Sequence, residues 1–422
     1  MEAAPASAGF RAYYALIALL VGLGLGAMVG GSTSPSATAA SATAAFVGTL
    51  WLNALKMTVI PLLIALLIVG IAKSREAAAG GRIAARSVVW IVIICTASAV
   101  FGALMTLLLT HIFPLARETA AALQGALANV EQKSTGPLPG IADFFKGIIP
   151  DNVFAAATNG DILPLVVFSV FFALALARIP ETGRKAIVTL SEGIADALVV
   201  IIGWVLWVAP IGVLALAYTV GTTAGSAAFA GLGHYVIIIS LVGILVTLAA
   251  YPIGIWGGGI SPTRFARGLI GPQAVAISTR SSLASLPAML TAARDMGVRP
   301  QVADVALPIS VALFRATGPA MNVAVAFYVA HWLGLEPTIG QMVAATAVGA
   351  VMSYGAVSLP GEVSYISSIA PIAIALGVPV APLGLLVAVE MIPDIFRTVG
   401  NVTADVAVTA AVDRSGRDDL QS

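Results

Sequence analysis

The stretch Glu390-Met-Ile-Pro-Asp394-Ile-Phe-Arg397-Thr-Val-Gly-Asn401-Val-Thr-Ala-Asp405 carries five polar side chains inside an apolar segment, at spacings of 4, 3, 4 and 4 residues. Side chains three and four residues apart lie on one face of an α-helix. The five therefore form a polar stripe roughly 22 Å long, at about 1.5 Å per residue. A purely structural ion-pair network could be replaced by apolar residues at little cost. The polar stripe therefore indicates that this helix lines a path for a solute.

The composition around this stretch is that of a polytopic membrane protein. Of 422 residues, 59% are hydrophobic and only 10% are charged, whereas soluble domains carry roughly 25% charged residues. The net charge of +1 gives no reason to expect a nucleic-acid partner. The single cysteine, Cys95, excludes an internal disulfide framework. The sequence has no HExxH or P-loop motif, so metalloprotease and P-loop ATPase chemistry have no support.

Eight stretches are long and apolar enough to cross a bilayer as helices, which takes about 20 residues. Two more, 264–295 and 340–376, are apolar but interrupted by Gly, Pro and Ser, and are predicted to be hairpins. The sequence thus predicts an all-α fold of eight transmembrane helices plus two re-entrant hairpins. The predicted spans are 12–30, 45–72, 87–113, 163–178, 194–219, 235–256, 303–332 and 381–411.

The orientation is predicted from Lys and Arg, because cytoplasmic loops carry an excess of both. If both hairpins return to their own side and the termini are cytoplasmic, fourteen of the 21 Lys and Arg residues lie inside. Only Arg117, Lys133 and Lys146 then lie outside. This assignment predicts a multi-pass protein of the cell (inner) membrane.

The two interrupted stretches resemble each other. The first contains Ser278-Thr-Arg-Ser-Ser-Leu-Ala-Ser-Leu-Pro287 and the second Ser353-Tyr-Gly-Ala-Val-Ser-Leu-Pro360-Gly361-Glu362. With opposite entry sides they form an inverted repeat, in which broken helices meet near the midplane and offer their ends to ions and anionic groups. The alternative is two unrelated Ser/Pro-rich kinks between packed helices.

Several charged residues lie inside apolar segments. A charge at the centre of a bilayer costs about 2.5–3.5 kcal/mol on insertion scales and is therefore a candidate for function. Lys56 is better explained as a snorkelling lysine. The others fall in the last third of the chain: Arg280, Arg315, Glu362, Glu390, Asp394, Arg397 and Asp405.

These residues resemble those of the dicarboxylate/amino acid:cation symporter family, which has the glutamate-transporter fold, and the resemblance covers nearly the whole chain. The most specific match is Asp394-x-x-Arg397-Thr-x-x-Asn401-Val-Thr-x-Asp405. The resemblance implies a homotrimer in which a fixed scaffold (12–72 and 141–219) supports a transport domain (87–113 and 235–412). That domain would carry the substrate across the membrane like an elevator.

The resemblance also assigns roles to residues. Arg397 would bind the side-chain carboxylate of an acidic amino acid, for which a guanidinium is a bidentate match. Asp394 would receive the α-ammonium group, and Asn401 would help to hold the α-carboxylate. A dicarboxylate without an amino group would leave Asp394 without a cation. The matched motifs add four further residues to the implied substrate site: Ser281, Ser282, Thr398 and Gly361.

The chain departs from the family where sodium ligands are expected. The family's Asn-Met-Asp-Gly-Thr aligns with Phe314-Arg-Ala-Thr-Gly318, which lacks the amide and the carboxylate and adds the charge of Arg315. The helix break expected there is assigned to Gly318-Pro319. Asp405 and Asn401 remain as part of a residual Na⁺ site. No cofactor is expected, and sodium remains possible at that degraded site only.

We hypothesise that Arg315 replaces the charge of at least one sodium ion, so that transport is coupled to protons or to fewer sodium ions. Glu362 and Glu390 are the candidate proton carriers, and Arg280 is a further charge-compensating residue. In an alternative, Glu362 only pairs with Arg315 and neither group titrates.

The predicted function is the symport of an acidic amino acid, aspartate or glutamate, with a cation. A C4-dicarboxylate symporter of the same fold and an uncoupled channel or sensor remain alternatives. A membrane enzyme has no support, because no nucleophile–base pair or metal cluster is recognisable in the sequence. The partners expected are a small anionic solute, the lipid bilayer and further copies of the chain.

Overall fold

The computed structural model describes residues 7–30, 32, 34–79, 81–127, 149–355 and 361–421, and every regular element among them is helical. The helices are α1 (Ser7–Val29), α2 (Pro35–Ala79), α3 (Arg82–Ile112), α4 (Arg117–Leu127), α5 (Val153–Asn159), α6 (Ile162–Leu176), α7 (Glu181–Trp207), α8 (Ala209–Ala224), α9 (Ala227–Pro252, extended by a π-helical turn at Ile253–Gly257), α10 (Pro262–Thr279), α11 (Ser282–Asp295), α12 (Pro300–Leu313), α13 (Thr317–Trp332), α14 (Ile339–Gly355), α15 (Gly361–Leu376), α16 (Ala381–Leu386) and α17 (Met391–Gln421).

Five helical segments are long and apolar enough to cross a membrane: Pro35–Glu76, Arg82–Ile112, Glu181–Trp207, Ala227–Gly257 and Pro300–Trp332. Shorter apolar helices of 10–17 residues accompany them. The prediction of an all-helical chain with several apolar helices is therefore confirmed.

Three of the predicted spans are not single helices. The predicted span 194–219 is interrupted at Val208 (φ −91°, ψ 4°), because Pro210 at the start of α8 has no N–H to continue the ladder. The predicted span 381–411 is broken between Leu386 and Met391. There Pro393 lies in the first turn of α17, where its missing N–H costs nothing, so it starts the helix rather than kinking it.

The third broken span is 303–332, where α12 ends at Leu313 and α13 begins at Thr317. The sequence predicted a break here but assigned it to Gly318-Pro319. The break instead precedes that pair, and Pro319 lies in the first turn of α13, a position that proline tolerates.

Each of the two interrupted stretches consists of two helices that pack against each other. Helices α10 and α11 are separated only by Arg280 and Ser281. Arg280 has a left-handed backbone (φ 50°), and the Ser281 side chain caps α11 by accepting a hydrogen bond from the Ala284 N–H at 3.2 Å. Helices α14 and α15 form the second pair, and the residues between them, 356–360, lie outside the described part of the chain.

Helices α13 and α17 form the centre of the structure. Every residue from Gly400 to Asp413 on α17 is buried, as is every residue of α13 from Thr317 to Ala330. Helix α3 crosses α13 so closely that a Cβ at Gly102 would lie 2.3 Å from the Ala320 carbonyl oxygen. The polar residues of α17 therefore face protein rather than lipid.

Candidate functional site

The Arg397 guanidinium is engaged on all three of its nitrogens. Nη2 donates to a carboxylate oxygen of Glu390, and Nη1 donates to Asn322 Oδ1 at 2.5 Å. Nε lies 3.7 Å from Asp394 Oδ1. The Arg397 side chain is only 12% exposed. A buried arginine thus sits between two acids and an amide, in the middle of the predicted stripe.

The Glu390 carboxylate has a second partner. Its other oxygen accepts a hydrogen bond from the Tyr235 hydroxyl at 2.9 Å, and the Tyr365 hydroxyl lies 3.1 Å from that of Tyr235. All three side chains are buried. Glu390 directly precedes α17, while Tyr235 and Tyr365 come from α9 and α15, so three separate segments meet at this carboxylate.

The side chain of Asn401 forms hydrogen bonds with Thr317, the first residue of α13. Its Oδ1 accepts hydrogen bonds from the Thr317 N–H at 3.0 Å and lies 2.6 Å from the Thr317 hydroxyl. That hydroxyl is also 2.5 Å from the Arg397 carbonyl oxygen. Asn401 therefore satisfies a free donor at a helix end. Its oxygen is occupied by the protein itself.

The Asp405 carboxylate is fully buried, and neither of its oxygens has a hydrogen-bond partner within the described part of the chain. Arg315, in the break between α12 and α13, is the positive side chain whose charge acts on it. No group of three or more His, Cys, Asp and Glu residues that could hold a metal ion occurs among the residues described.

A small pocket lies beside Arg397, with a cavity volume of about 10 Å³, the space that one water molecule needs. Helices α14 and α15 each contribute a buried serine to it, and two arginines face it. The lining residues are Arg315, Gly318, Asn322, Met352, Ser353, Ser368 and Arg397. Its cationic and hydroxyl groups are chemically suited to bind an anionic solute.

Of the remaining predicted residues, two act on Asp394 and two do not line the pocket. Thr398 donates its hydroxyl to the Asp394 carbonyl oxygen at 2.9 Å, and the charge of Arg280 acts on Asp394. Ser281 and Ser282 do not line the pocket. Gly361 begins α15, and the side chain of Glu362 lies outside what the structure describes, so its pairing with Arg315 stays a prediction.

The sequence analysis missed several side chains of this site, among them Asn322, Tyr235 and Tyr365. Asn322 could have been found, because an amide within the apolar segment 303–332 is costly unless it is bonded. Tyr235 and Tyr365 carry no comparable signal, since buried tyrosines are common in apolar helices. The partner of Tyr235 is 155 residues away in sequence, so only the fold brings them together.

A family model described as the sodium:dicarboxylate symporter family matches residues 13–415. The chain belongs to this family. The predicted resemblance is therefore confirmed, and the protein is a multi-pass membrane transporter of small anionic solutes rather than an enzyme.

Relatives in the sodium:dicarboxylate symporter family are named either as glutamate or glutamate-aspartate symporters or as C4-dicarboxylate transport proteins. The chain is 30% identical to a proton/sodium-glutamate symport protein of Bacillus subtilis, over 86% of this chain and 84% of that protein. It is 25% identical to a proton/glutamate-aspartate symporter of Escherichia coli, over 95% and 92%. It is also 25% identical to a C4-dicarboxylate transport protein of Laribacter hongkongensis, over 86% and 81%.

Proposed function

We propose that this protein takes up an acidic amino acid, aspartate or glutamate, in symport with a cation. The observation that carries the proposal is the position of Arg397, buried at the edge of a pocket with Asp394 beside it. A guanidinium offers a planar match to a carboxylate. Asp394 supplies the negative charge that an α-ammonium group requires. The names of the Bacillus and Escherichia relatives support the same solute class.

A C4-dicarboxylate is the second candidate, and one observation favours it. Arg315 and Arg397 both line the pocket, so two positive charges lie near a solute that would carry two carboxylates. Asp394 argues against it, because a solute without an ammonium group would meet an uncompensated carboxylate. The acidic amino acid therefore remains the better match.

The proposed coupling ion is the proton, or a reduced number of sodium ions. Sodium needs several oxygen ligands, and here the oxygen of Asn401 is bonded to Thr317. Asp405 retains two oxygens, but the fixed charge of Arg315 acts on it. A guanidinium supplies the charge that a sodium ion would bring and repels a second cation.

The proposed architecture is eight spans and two re-entrant hairpins, with both termini cytoplasmic. We assign 12–72 and 141–219 to a scaffold, and 87–113 and 235–412 to an elevator-like transport domain. Close helix crossings are found within each part. A Cβ at Gly26 of α1 would lie 2.3 Å from the Tyr218 carbonyl oxygen of α8, which matches the approach of α3 to α13 at Gly102.

The proposed assembly is a homotrimer, as the resemblance implies. Helix α7 offers a surface for neighbouring copies or lipid, because Trp204 and Trp207 are each 68% exposed. Aromatic side chains of this kind are common at membrane interfaces and at protein contacts.

Calorimetric titration of the purified protein with aspartate tests the solute and the role of Arg397. We expect aspartate to bind and succinate to compete weakly. Arg397→Lys should lower the aspartate affinity at least about tenfold, or about 1.4 kcal/mol, because an ammonium group cannot form the bidentate pair. Arg294→Lys is the matched control, since Arg294 pairs with Asp304 at an exposed position. Undiminished aspartate binding by Arg397→Lys would contradict the proposal.

A further inference from the structure

Arg397 already holds a carboxylate of the protein itself. Glu390 occupies Nη2, while neutral Asn322 occupies Nη1 and the more distant Asp394 faces Nε. A solute carboxylate that takes the guanidinium in a bidentate way must displace one of these partners. Glu390 is the anionic partner in direct hydrogen-bond contact, so it competes most strongly with the solute.

The two tyrosines fix the direction of the hydrogen bonds around Glu390. A hydroxyl has one proton to donate, and Tyr235 gives its proton to the Glu390 carboxylate. The 3.1 Å contact between the hydroxyls must then run from Tyr365 to Tyr235. With Glu390 ionised, the order of donation is therefore Tyr365 to Tyr235 to Glu390.

We propose that the solute carboxylate displaces Glu390 from Arg397, that the displaced Glu390 takes up one proton, and that Tyr235 and Tyr365 position it in both states. This inference rests on the proposed function, because it needs a carboxylate solute at Arg397. It assigns the coupling proton to Glu390 and adds two positioning residues.

The proton balance follows from burial. Once Arg397 pairs with the solute, Glu390 has no cation in contact, and an unpaired buried carboxylate is costly. Uptake of one proton from water converts the carboxylate to a carboxylic acid. The new O–H donates to Tyr235, Tyr235 then donates to Tyr365, and the order of the hydrogen bonds reverses without further bond changes.

The surroundings of Glu390 contain few other charges. Within the described residues, Arg397 and Asp394 on α17 act on its carboxylate, Tyr235 faces it from α9 and Tyr365 from α15. Arg315 acts on Arg397, and α13 contributes neutral Asn322. Helix α13 also packs the ring of Tyr328 against Tyr235. Because Tyr365 lies on α15, hydrogen bonds through Tyr235 and Tyr365 connect Glu390 to the second helix pair, α14 and α15.

The test counts the protons taken up when aspartate binds, by titrating the full-length protein in buffers of different ionisation enthalpy. We expect about one proton per aspartate in the wild type, and a tenfold loss of affinity per pH unit over the range in which Glu390 is ionised in the free protein and protonated in the complex. Glu390→Gln should bind aspartate without proton uptake and without that pH dependence. A wild-type count of zero, or unchanged uptake by Glu390→Gln, would overturn the inference.

The tyrosines are tested in the same titration. Tyr235→Phe and Tyr365→Phe should keep the count of one proton but shift the pH range over which affinity changes. Tyr328→Phe is the control, because its hydroxyl contacts His234 at 2.7 Å rather than Glu390. Unshifted profiles in both variants would show that the tyrosines only fill space. If wild type binds neither aspartate nor succinate, the proposed function itself fails.

Discussion

At the scale of single residues, the site is a set of compensated charges. Arg280, Arg315 and Arg397 act on Asp394, and Arg397 also pairs with Glu390. A buried charge that loses its partner costs about 3–5 kcal/mol, so each charge fixes what its neighbours can bind. The choice of solute and of coupling ion can therefore be changed by single substitutions.

Asp394→Asn should change which solute is preferred. The substitution keeps the shape of the side chain but removes the charge that would face an α-ammonium group. We expect aspartate affinity to fall about tenfold or more, equivalent to about 1.4 kcal/mol, while succinate binds as well as before or better. Competition binding measures both. Asp304→Asn, at the exposed pair with Arg294, is the control. An equal loss for both solutes would contradict the assigned role.

Arg315→Ala should create a requirement for a soluble cation. Without the guanidinium, the buried Asp405 carboxylate has lost the charge that acts on it, and sodium can take that place. Sodium at 100 times its dissociation constant would stabilise the variant by about 2.7 kcal/mol. Thermal unfolding in sodium or choline chloride measures this. Equal stabilisation of the wild type by sodium would show that Arg315 does not replace the ion.

At the scale of helices, several side-chain contacts hold the break between α12 and α13, and the Thr317 hydroxyl makes one set of them. Thr317→Val keeps the shape but removes the hydroxyl that Asn401 and the Arg397 carbonyl oxygen share. We expect a loss of stability of about 1–3 kcal/mol, because buried acceptors lose a donor. Thermal unfolding measures the change. Thr409→Val is the control, since Thr409 bonds only the Asp405 carbonyl oxygen of its own helix. Equal losses would contradict this role.

The sequence indicated the helices better than it indicated their ends. The spacing from Asp394 to Asp405 predicted a single polar face because an α-helix repeats locally, and α17 contains all four of these residues. The breaks at Val208 and before Met391 were missed because long apolar runs conceal them. Proline at the start of a following helix was the local signal for both.

The contacts between side chains of the site were harder to predict than the polar stripe from Glu390 to Asp405. Arg397 could be singled out because a charge in an apolar segment is costly. Its partner Asn322 and the tyrosines around Glu390 come from other helices, and nothing in their own segments fixes that contact. The sequence also offered no way to tell that Glu390 would contact Arg397 directly.

At the scale of the whole molecule, the family membership and the apolar helices define a membrane carrier, and the proposed assembly is testable. Light scattering in detergent should give a protein mass three times the 42.7 kDa of one chain. Replacing both exposed tryptophans of α7, Trp204 and Trp207, by Ser tests whether this face holds the copies together. A monomeric wild type would contradict the trimer.

The most direct test of the account is aspartate uptake into proteoliposomes under an imposed proton or sodium gradient. We predict that an inward proton gradient drives accumulation of aspartate in the absence of sodium, because Glu390 is the proposed site of the coupling proton. Uptake that requires sodium and ignores pH would contradict the account, as would ion flux without aspartate.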